Sequence, residues 1–273
     1  MSRPAGSVRQ APDVQDVSAR PRLSVILITL NEAHGLERCL RSVDFADEIV
    51  VVDSGSTDDT VALARAAGAR VAVQADWPGF GRQKNRALDL ATGDWVLSID
   101  ADEVVTPGLR DAILAAVRAP GHADAFRIRR RSCFAGKPLR FGDWLGDRVV
   151  RLFRRGRARF SDDVVHERLV HDGPAPVLDG LLMHYTVDSL ADALDKARRY
   201  AQDGAPRVAA RGRGGLASAL GHAGWTFLRG YVLRGGFLDG RLGLVLAWCN
   251  ASGTWQRYRI AGRLRARQRR GDG

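Results

Sequence analysis

The strongest pattern along the chain is a series of short apolar runs, each stopped abruptly by polar or acidic residues. Leu23-Ser24-Val25-Ile26-Leu27-Ile28-Thr29-Leu30 is almost continuous hydrocarbon and ends in Asn31-Glu32. Glu48-Ile49-Val50-Val51-Val52 ends in Asp53-Ser54-Gly55-Ser56-Thr57-Asp58-Asp59-Thr60. Trp95-Val96-Leu97-Ser98-Ile99 ends in Asp100-Ala101-Asp102-Glu103. Runs of this length, rich in Val and Ile and bounded by turn residues, predict strands covered on both faces. Val71-Ala72-Val73 predicts one more. Between them lie helical stretches. Residues 35–43 carry Leu36 and Leu40 four apart, residues 61–67 can be capped by Thr57 or Asp58 and closed by Gly68, and residues 85–91 stop before Gly93. Strands alternating with helices predict an α/β domain built on a parallel sheet.

The polar stops hold the candidate chemistry. Unpaired carboxylates are too costly to bury. The acids of residues 100–103 should therefore emerge at the carboxyl end of the sheet, where open α/β sheets hold ligands. Asp100 and Asp102 are two apart, so on extended backbone they point the same way. Hard oxygen donors on one face suit Mg²⁺ or Mn²⁺ bridging to a phosphate. A solvated acidic turn leading to a helix start at Thr106-Pro107 fits the same four residues. Alone, the tetrapeptide leaves both readings open.

Composition narrows the partners. The 273 residues suffice for one large domain, or one domain with an appendage. Lys and Arg number 42 against 31 Asp and Glu, a net charge of +11. One basic cluster runs from Arg127 to Arg159, and another from Arg257 to Arg270. Nucleic acid, anionic lipid or an acidic small substrate could each answer such charge. No nucleic-acid recognition motif accompanies it, so nucleic acid is set aside, and many of these arginines read as solvated surface. Cys39, Cys133 and Cys249 lack the spacing of a metal site or a disulfide framework, which points to packing roles in a reducing compartment. Residues 1–20 are polar and read as a disordered leader rather than a signal peptide or anchor. No run is long enough to span a bilayer. The expected organisation is leader, a catalytic domain over residues 21–188, and a helical, basic region over residues 189–273. In the last of these, residues 216–233 place Trp225, Phe227 and Tyr231 beside Arg229 and Arg234. Such a face suits a membrane interface, and equally a helical cap packed on the sheet.

Four motifs in order, Thr29-Leu30-Asn31-Glu32, residues 51–58, Gly81-Arg82-Gln83-Lys84-Asn85 and Asp100-Ala101-Asp102-Glu103, resemble the family-2 inverting glycosyltransferases. Downstream, residues 147–154, Val165-His166-Glu167, Met183-His184-Tyr185 and residues 235–240 are similar to their lipopolysaccharide-core glucosyltransferase branch. The resemblance implies a GT-A fold, a Rossmann-like nucleotide-sugar-binding sheet. It implies a UDP-sugar donor, commonly UDP-glucose, and an acceptor sugar on a lipid-linked core oligosaccharide. It implies work in the cytoplasm, at the cytoplasmic face of the inner membrane as a peripheral protein.

The same resemblance assigns roles. Thr29, Asn31, Glu32, Asp53, Ser54 and Gly55 would line the nucleotide pocket, with Asp53 accepting a hydrogen bond from uracil. Lys84, near a helix start, would offset diphosphate charge, although a surface lysine fits too. Asp100 would bond the ribose or the metal's water shell, and Asp102 would hold Mg²⁺ or Mn²⁺. His184 would be a further metal ligand or diphosphate contact, or a satisfied core histidine. Inversion needs a base, and the relatives' Glu-Asp motif is altered here to Gly146-Asp147. The base thus stays open between Asp147 and Glu167, with Asp143 a third acid nearby. The alternative function is a non-catalytic GT-A-like protein that binds an anionic envelope glycolipid through its arginines.

Overall fold

The computed structural model describes residues 20–162 and 167–271. The polar leader, apart from Arg20, and His166 lie outside the described residues.

The first apolar run is β1 (Leu23–Thr29). It is followed by α1 (Ala33–Arg41), β2 (Glu48–Asp53), α2 (Thr60–Ala66), β3 (Arg70–Val73), α3 (Phe80–Leu90) and β4 (Trp95–Ser98). The order continues β5 (Glu103–Val105), α4 (Pro107–Arg118), β6 (Ala125–Phe134), β7 (Lys137–Pro138), β8 (Arg148–Arg154), β9 (Ala158–Phe160), β10 (Leu169–His171) and β11 (Leu182–Val187). Three helices close the chain: α5 (Leu190–Ala210), α6 (Leu216–Leu228) and α7 (Gly240–Gly271).

Eight strands lie in the order β3-β2-β1-β4-β8-β6-β11-β5, with β7 paired to β6 as the ninth. The β3 to β4 part is parallel, as the alternation of strands and helices requires. β8 then runs antiparallel between β4 and β6. Leu23, Val25, Leu27 and Leu97 face one core with Leu36 and Leu40 of α1 and Ile113 of α4. Ile26, Val50 and Val52 face the other, against Ala87 and Leu88 of α3. Strands buried on both sides explain why the apolar runs are continuous instead of alternating. The mixed sheet with helices on both faces is the GT-A-type α/β architecture expected, with a helical C-terminal part.

Several local expectations are corrected. The second helix is preceded by Asp59, not Thr57 or Asp58. Asp58 still serves its first turn, accepting the Thr60 amide at 3.0 Å. α3 begins at Phe80, five residues earlier than expected, because Gly81 is a contact point and not a break. A Cβ there would lie 1.8 Å from the Ser161 carbonyl oxygen. Lys84 therefore stands in the second turn of α3, beyond the reach of a helix-terminus dipole. α5 continues through Pro206, and the arginine-rich tail is the far end of the 32-residue α7. α7 lies close against α5, with Gly253 on Ala197 and Ala261 packed among Ala205 and Ala209. Cys39, Cys133 and Cys249 are buried free thiols, in keeping with packing roles.

Candidate functional site

The loops leaving β1 and β2 are tied together at the carboxyl end of the sheet. The Asn31 amide donates to Ser56 Oγ at 2.8 Å, and the Thr57 amide donates to Asn31 Oδ1 at 2.8 Å. Asn31 adopts φ +56°, a left-handed conformation that asparagine tolerates better than most residues. Asp53 closes the turn. Its Oδ1 accepts the Gly55 and Ser56 amides at 2.9 and 2.8 Å, and its Oδ2 accepts the Thr29 and Ser56 hydroxyls at 2.8 and 2.5 Å. Burial pushes this carboxyl's pKa up, but those donors outweigh it and hold it below the usual range.

This geometry shows what engages two of the residues expected to line the nucleotide pocket. A carboxylate offers about four acceptor sites, and all of Asp53's are used while the side chain is fully buried. Asp53 and buried Thr29 therefore build the floor of the loops. Ser54 is also buried, accepting from Gln83 Nε2 at 2.9 Å. Asn31 is exposed, and Glu32 and Gly55 are half-buried.

The acidic tetrapeptide is a turn, closed by the Glu103 amide bonding the Asp100 carbonyl at 3.0 Å. Turning the chain separates the carboxylates that an extended segment would have aligned. Asp100 faces Lys84 Nζ at 3.1 Å and Arg151 Nη2. Asp102 faces His184 Nε2 at 3.1 Å, because β5 leaves the turn to pair with β11 and sets Glu103 opposite His184. The third acid stays in the core. Glu103 is fully buried against Arg151 at 2.8 Å and Arg130 at 3.3 Å. The rule that expelled it applies only to unpaired charge.

Arg151, 7% exposed, is the hub of this network. Its spacing four residues after Asp147 was the available signal in the sequence. Burial raises the Asp100 carboxyl's pKa, but Arg151 and Lys84 pull it well below the carboxylate range. Lys84 is buried, which rules out the surface-lysine reading, and its ammonium lies between Asp100 and Glu167 Oε1 at 2.8 Å. Lys84, Asp100, Arg151 and Glu167 line a cleft of about 370 Å³. Glu32 feels this acidic end strongly. Partial burial, then repulsion from Asp102, Asp100 and Asp58, raises its pKa to about 7.

A second cavity, about 450 Å³, opens between the sheet and the C-terminal helices, and Arg130 lines both. Asp147 and His184 are in its wall. Asp147 is gripped by Arg130 through two bonds, at 3.0 and 2.9 Å, and not by Arg148 or Arg151. Asp143 is clamped by Arg229 at 3.1 Å and Arg234 at 2.8 Å, which fastens its loop to the turn after α6 and engages both of its oxygens. Among the described residues no group of three or more His, Cys, Asp or Glu side chains forms a ready metal cage. Asp102 and His184 offer a two-donor edge.

Comparison with known proteins identifies what this arrangement belongs to. The model of Glycosyl transferase family 2 matches residues 24–168. An uncharacterised glycosyltransferase of Rickettsia prowazekii (strain Madrid E) is 31% identical over 242 residues, covering 82% of this chain and 81% of its own. The lipopolysaccharide core biosynthesis glycosyltransferase LpsC of Rhizobium meliloti (strain 1021) is 30% identical over 255 residues, covering 88% and 94%. Two solved structures overlap in part. S. aureus TarS 1–349 in complex with UDP-GlcNAc gives a TM-score of 0.36 at 31% identity, over 41% of this chain and 35% of that one. Mycobacterium tuberculosis glucosyl-3-phosphoglycerate synthase with Mn²⁺, UDP and glucosyl-3-phosphoglycerate gives 0.35 at 28%, over 48% and 52%. The family model spans more than half of the chain and the sequence relatives span most of it, so the chain belongs to glycosyl transferase family 2 and is a glycosyltransferase.

Proposed function

We propose that this glycosyltransferase moves a hexose, glucose before others, from a UDP-sugar onto an inner-core sugar of lipopolysaccharide or a related envelope glycan, with inversion. The observation that carries the reading is the convergence of Lys84, Asp100, Asp102, Arg151 and His184 at the carboxyl end of β4, in a chain of this family. The acceptor class is supported by the likeness to LpsC over nearly the whole chain.

Asn31, Glu32 and the Gly55 backbone receive the nucleoside. Lys84, already between two carboxylates, exchanges part of that pairing for the diphosphate. Asp102 and His184, an oxygen and a nitrogen donor, would hold a divalent cation. Burial first, and then repulsion from Asp102, Asp100 and Asp58, lifts the pKa of Glu32 at this end of the sheet. Mg²⁺ or Mn²⁺ held by Asp102 and His184 would supply positive charge for a diphosphate leaving group.

Asp147 is the base. It lines the cavity shared with His184, and the two-bonded grip of Arg130 orients it toward an acceptor hydroxyl entering beside the C-terminal helices. Glu167 lines the other cleft, beside Lys84 and Asp100, on the donor side. The acceptor's lipid anchor suits a peripheral position at the cytoplasmic face of the inner membrane. No described helix is long and apolar enough to cross a membrane. The turn joining α6 to α7, however, exposes Leu228, Val232, Leu233, Phe237 and Leu238 beside Arg229, Arg234 and Arg241.

The test is UDP release from UDP-glucose with Mn²⁺, with and without deacylated core oligosaccharide. Acceptor-dependent release is expected. Asp147→Asn should keep UDP affinity by calorimetry and lose transfer by about 10²-fold or more. If Glu167→Gln behaves this way and Asp147→Asn does not, the base is Glu167. Silence across a panel of nucleotide-sugars, with no UDP binding, overturns the donor assignment and favours a glycolipid-binding protein.

A further inference from the structure

Beyond the acceptor cavity, between α5, α6 and α7, lies another of about 440 Å³ that shares Asp143, Trp144, Tyr200 and Asn250 with it. Nothing in the proposed chemistry uses this space, yet its wall is not inert. Arg257 lines it, and among the described residues no carboxylate pairs with that guanidinium. Its Nε is buried without a hydrogen-bond partner. The side chain lies over Gly204 of α5, where a Cβ would come within 2.9 Å of Nε, so a small residue leaves the guanidinium its place. Arg229 lines the same cavity, with its Nη2 on Asp143 and its own Nε buried and unpartnered. Among the described residues Asp143 is the single carboxylate in this wall, and Arg229 and Arg234 already neutralise it. The wall thus carries uncompensated positive charge.

A guanidinium fork matches the geometry of an oxyanion. The remaining wall suits a sugar: Trp144, Tyr200 and Trp225 offer ring faces, and His222 stacks on Tyr258 at 4.1 Å. We infer that this cavity is a second acceptor subsite, in which Arg257, assisted by Arg229, binds an oxyanion, phosphate or carboxylate, carried by a sugar unit of the acceptor glycan. The inference rests on the glycan acceptor proposed above and adds the chemical class of its more distant residue: an anionic saccharide.

The experiment uses the full chain in two independent arms. In the first, glucose 6-phosphate, glucuronate and glucose are titrated calorimetrically into the wild type and into Arg257→Ala and Arg257→Lys. Binding of either anionic sugar with at least about tenfold preference over glucose is expected, lost in Arg257→Ala and partly kept in Arg257→Lys, as a charge-assisted bond implies. The second arm compares acceptor KM on native and enzymatically dephosphorylated, deacylated core oligosaccharide. Arg257→Ala should raise acceptor KM about tenfold or more on the anionic acceptor, with the KM for the nucleotide-sugar unmoved and the thermal midpoint kept. Failure of both anionic sugars to outbind glucose overturns the subsite. So does an unchanged acceptor KM in Arg257→Ala. Equal loss of binding to phosphatidylglycerol vesicles in place of the sugar effect also overturns it, by assigning the charge to a lipid headgroup. Binding of the anionic sugar without any transfer leaves the subsite standing and overturns the proposed function alone.

Discussion

Glu32 is the residue at which charge and burial disagree most usefully. Its carboxyl has a pKa near 7, because partial burial and three neighbouring acids disfavour its charge. Between about pH 4.5 and 7 the folded protein therefore holds a proton that the unfolded chain has released, so stability falls as pH rises through that window. Below it, the contribution is fully present. Chemical denaturation of the metal-free protein at pH 5 and pH 8 should show the loss, and Glu32→Gln should remove most of the difference. An unchanged slope in that variant would contradict the crowding described at this end of the sheet. Asp102 makes the complementary prediction. Partly exposed, with one histidine as its ion-pair partner, it contributes little to the fold. Asp102→Asn should abolish cation-dependent turnover with the thermal midpoint within a few degrees of wild type; a collapse in folding would show that the turn is structural.

At the scale of elements, the loop before β8 shows why this chain departs from its relatives' acidic pair. A Cβ on Gly146 would lie 1.5 Å from the Arg130 carbonyl oxygen, and the Arg130 amide binds the Asp147 carbonyl at 2.9 Å. Glycine lets this loop lie flat on β6, and that contact places Asp147 within the grip of Arg130. A glutamate could not occupy the position without moving the loop. Gly146→Ala should therefore cost about 1–3 kcal/mol by urea titration and lower transfer while UDP affinity stays. Full activity with unchanged stability would mean the loop yields freely. The strands and helices flanking this site were legible because both-face burial writes itself as an unbroken apolar run. The early start of α3 and the length of α7 were not legible, because glycines that permit close contact look in sequence like glycines that end helices.

Over the whole molecule, the +11 charge divides into unlike parts. Arg151 and Arg130 are spent on the acids at the end of β4. Arg154 and Arg159 make exposed pairs with Asp124 and Asp89, worth little to stability. Arg229, Arg234 and Arg241 border the apolar turn between α6 and α7. Asp239 fastens that turn to the 140–141 backbone, at 3.0 and 2.9 Å. A double substitution Leu233→Glu, Phe237→Glu should weaken cosedimentation with phosphatidylglycerol vesicles at least several-fold while transfer to a soluble acceptor persists. Unreduced vesicle binding would mean that the turn does not contact lipid.

The sequence by itself determined the α/β layering, the positions of the polar stops and the family, because burial patterns and short motifs are local and survive in one dimension. Which acid faces which base was decided only by tertiary structure. The turn at residues 100–103 sends Asp100 to Arg151 and Lys84 and Asp102 to His184, residues 16 to 82 positions away in the chain. Glu103 can remain in the core only because Arg151 and Arg130 arrive from β8 and β6. A charge's pairing, and so its tolerance of burial, depends on neighbours that folding brings from distant strands, and no local pattern encodes them.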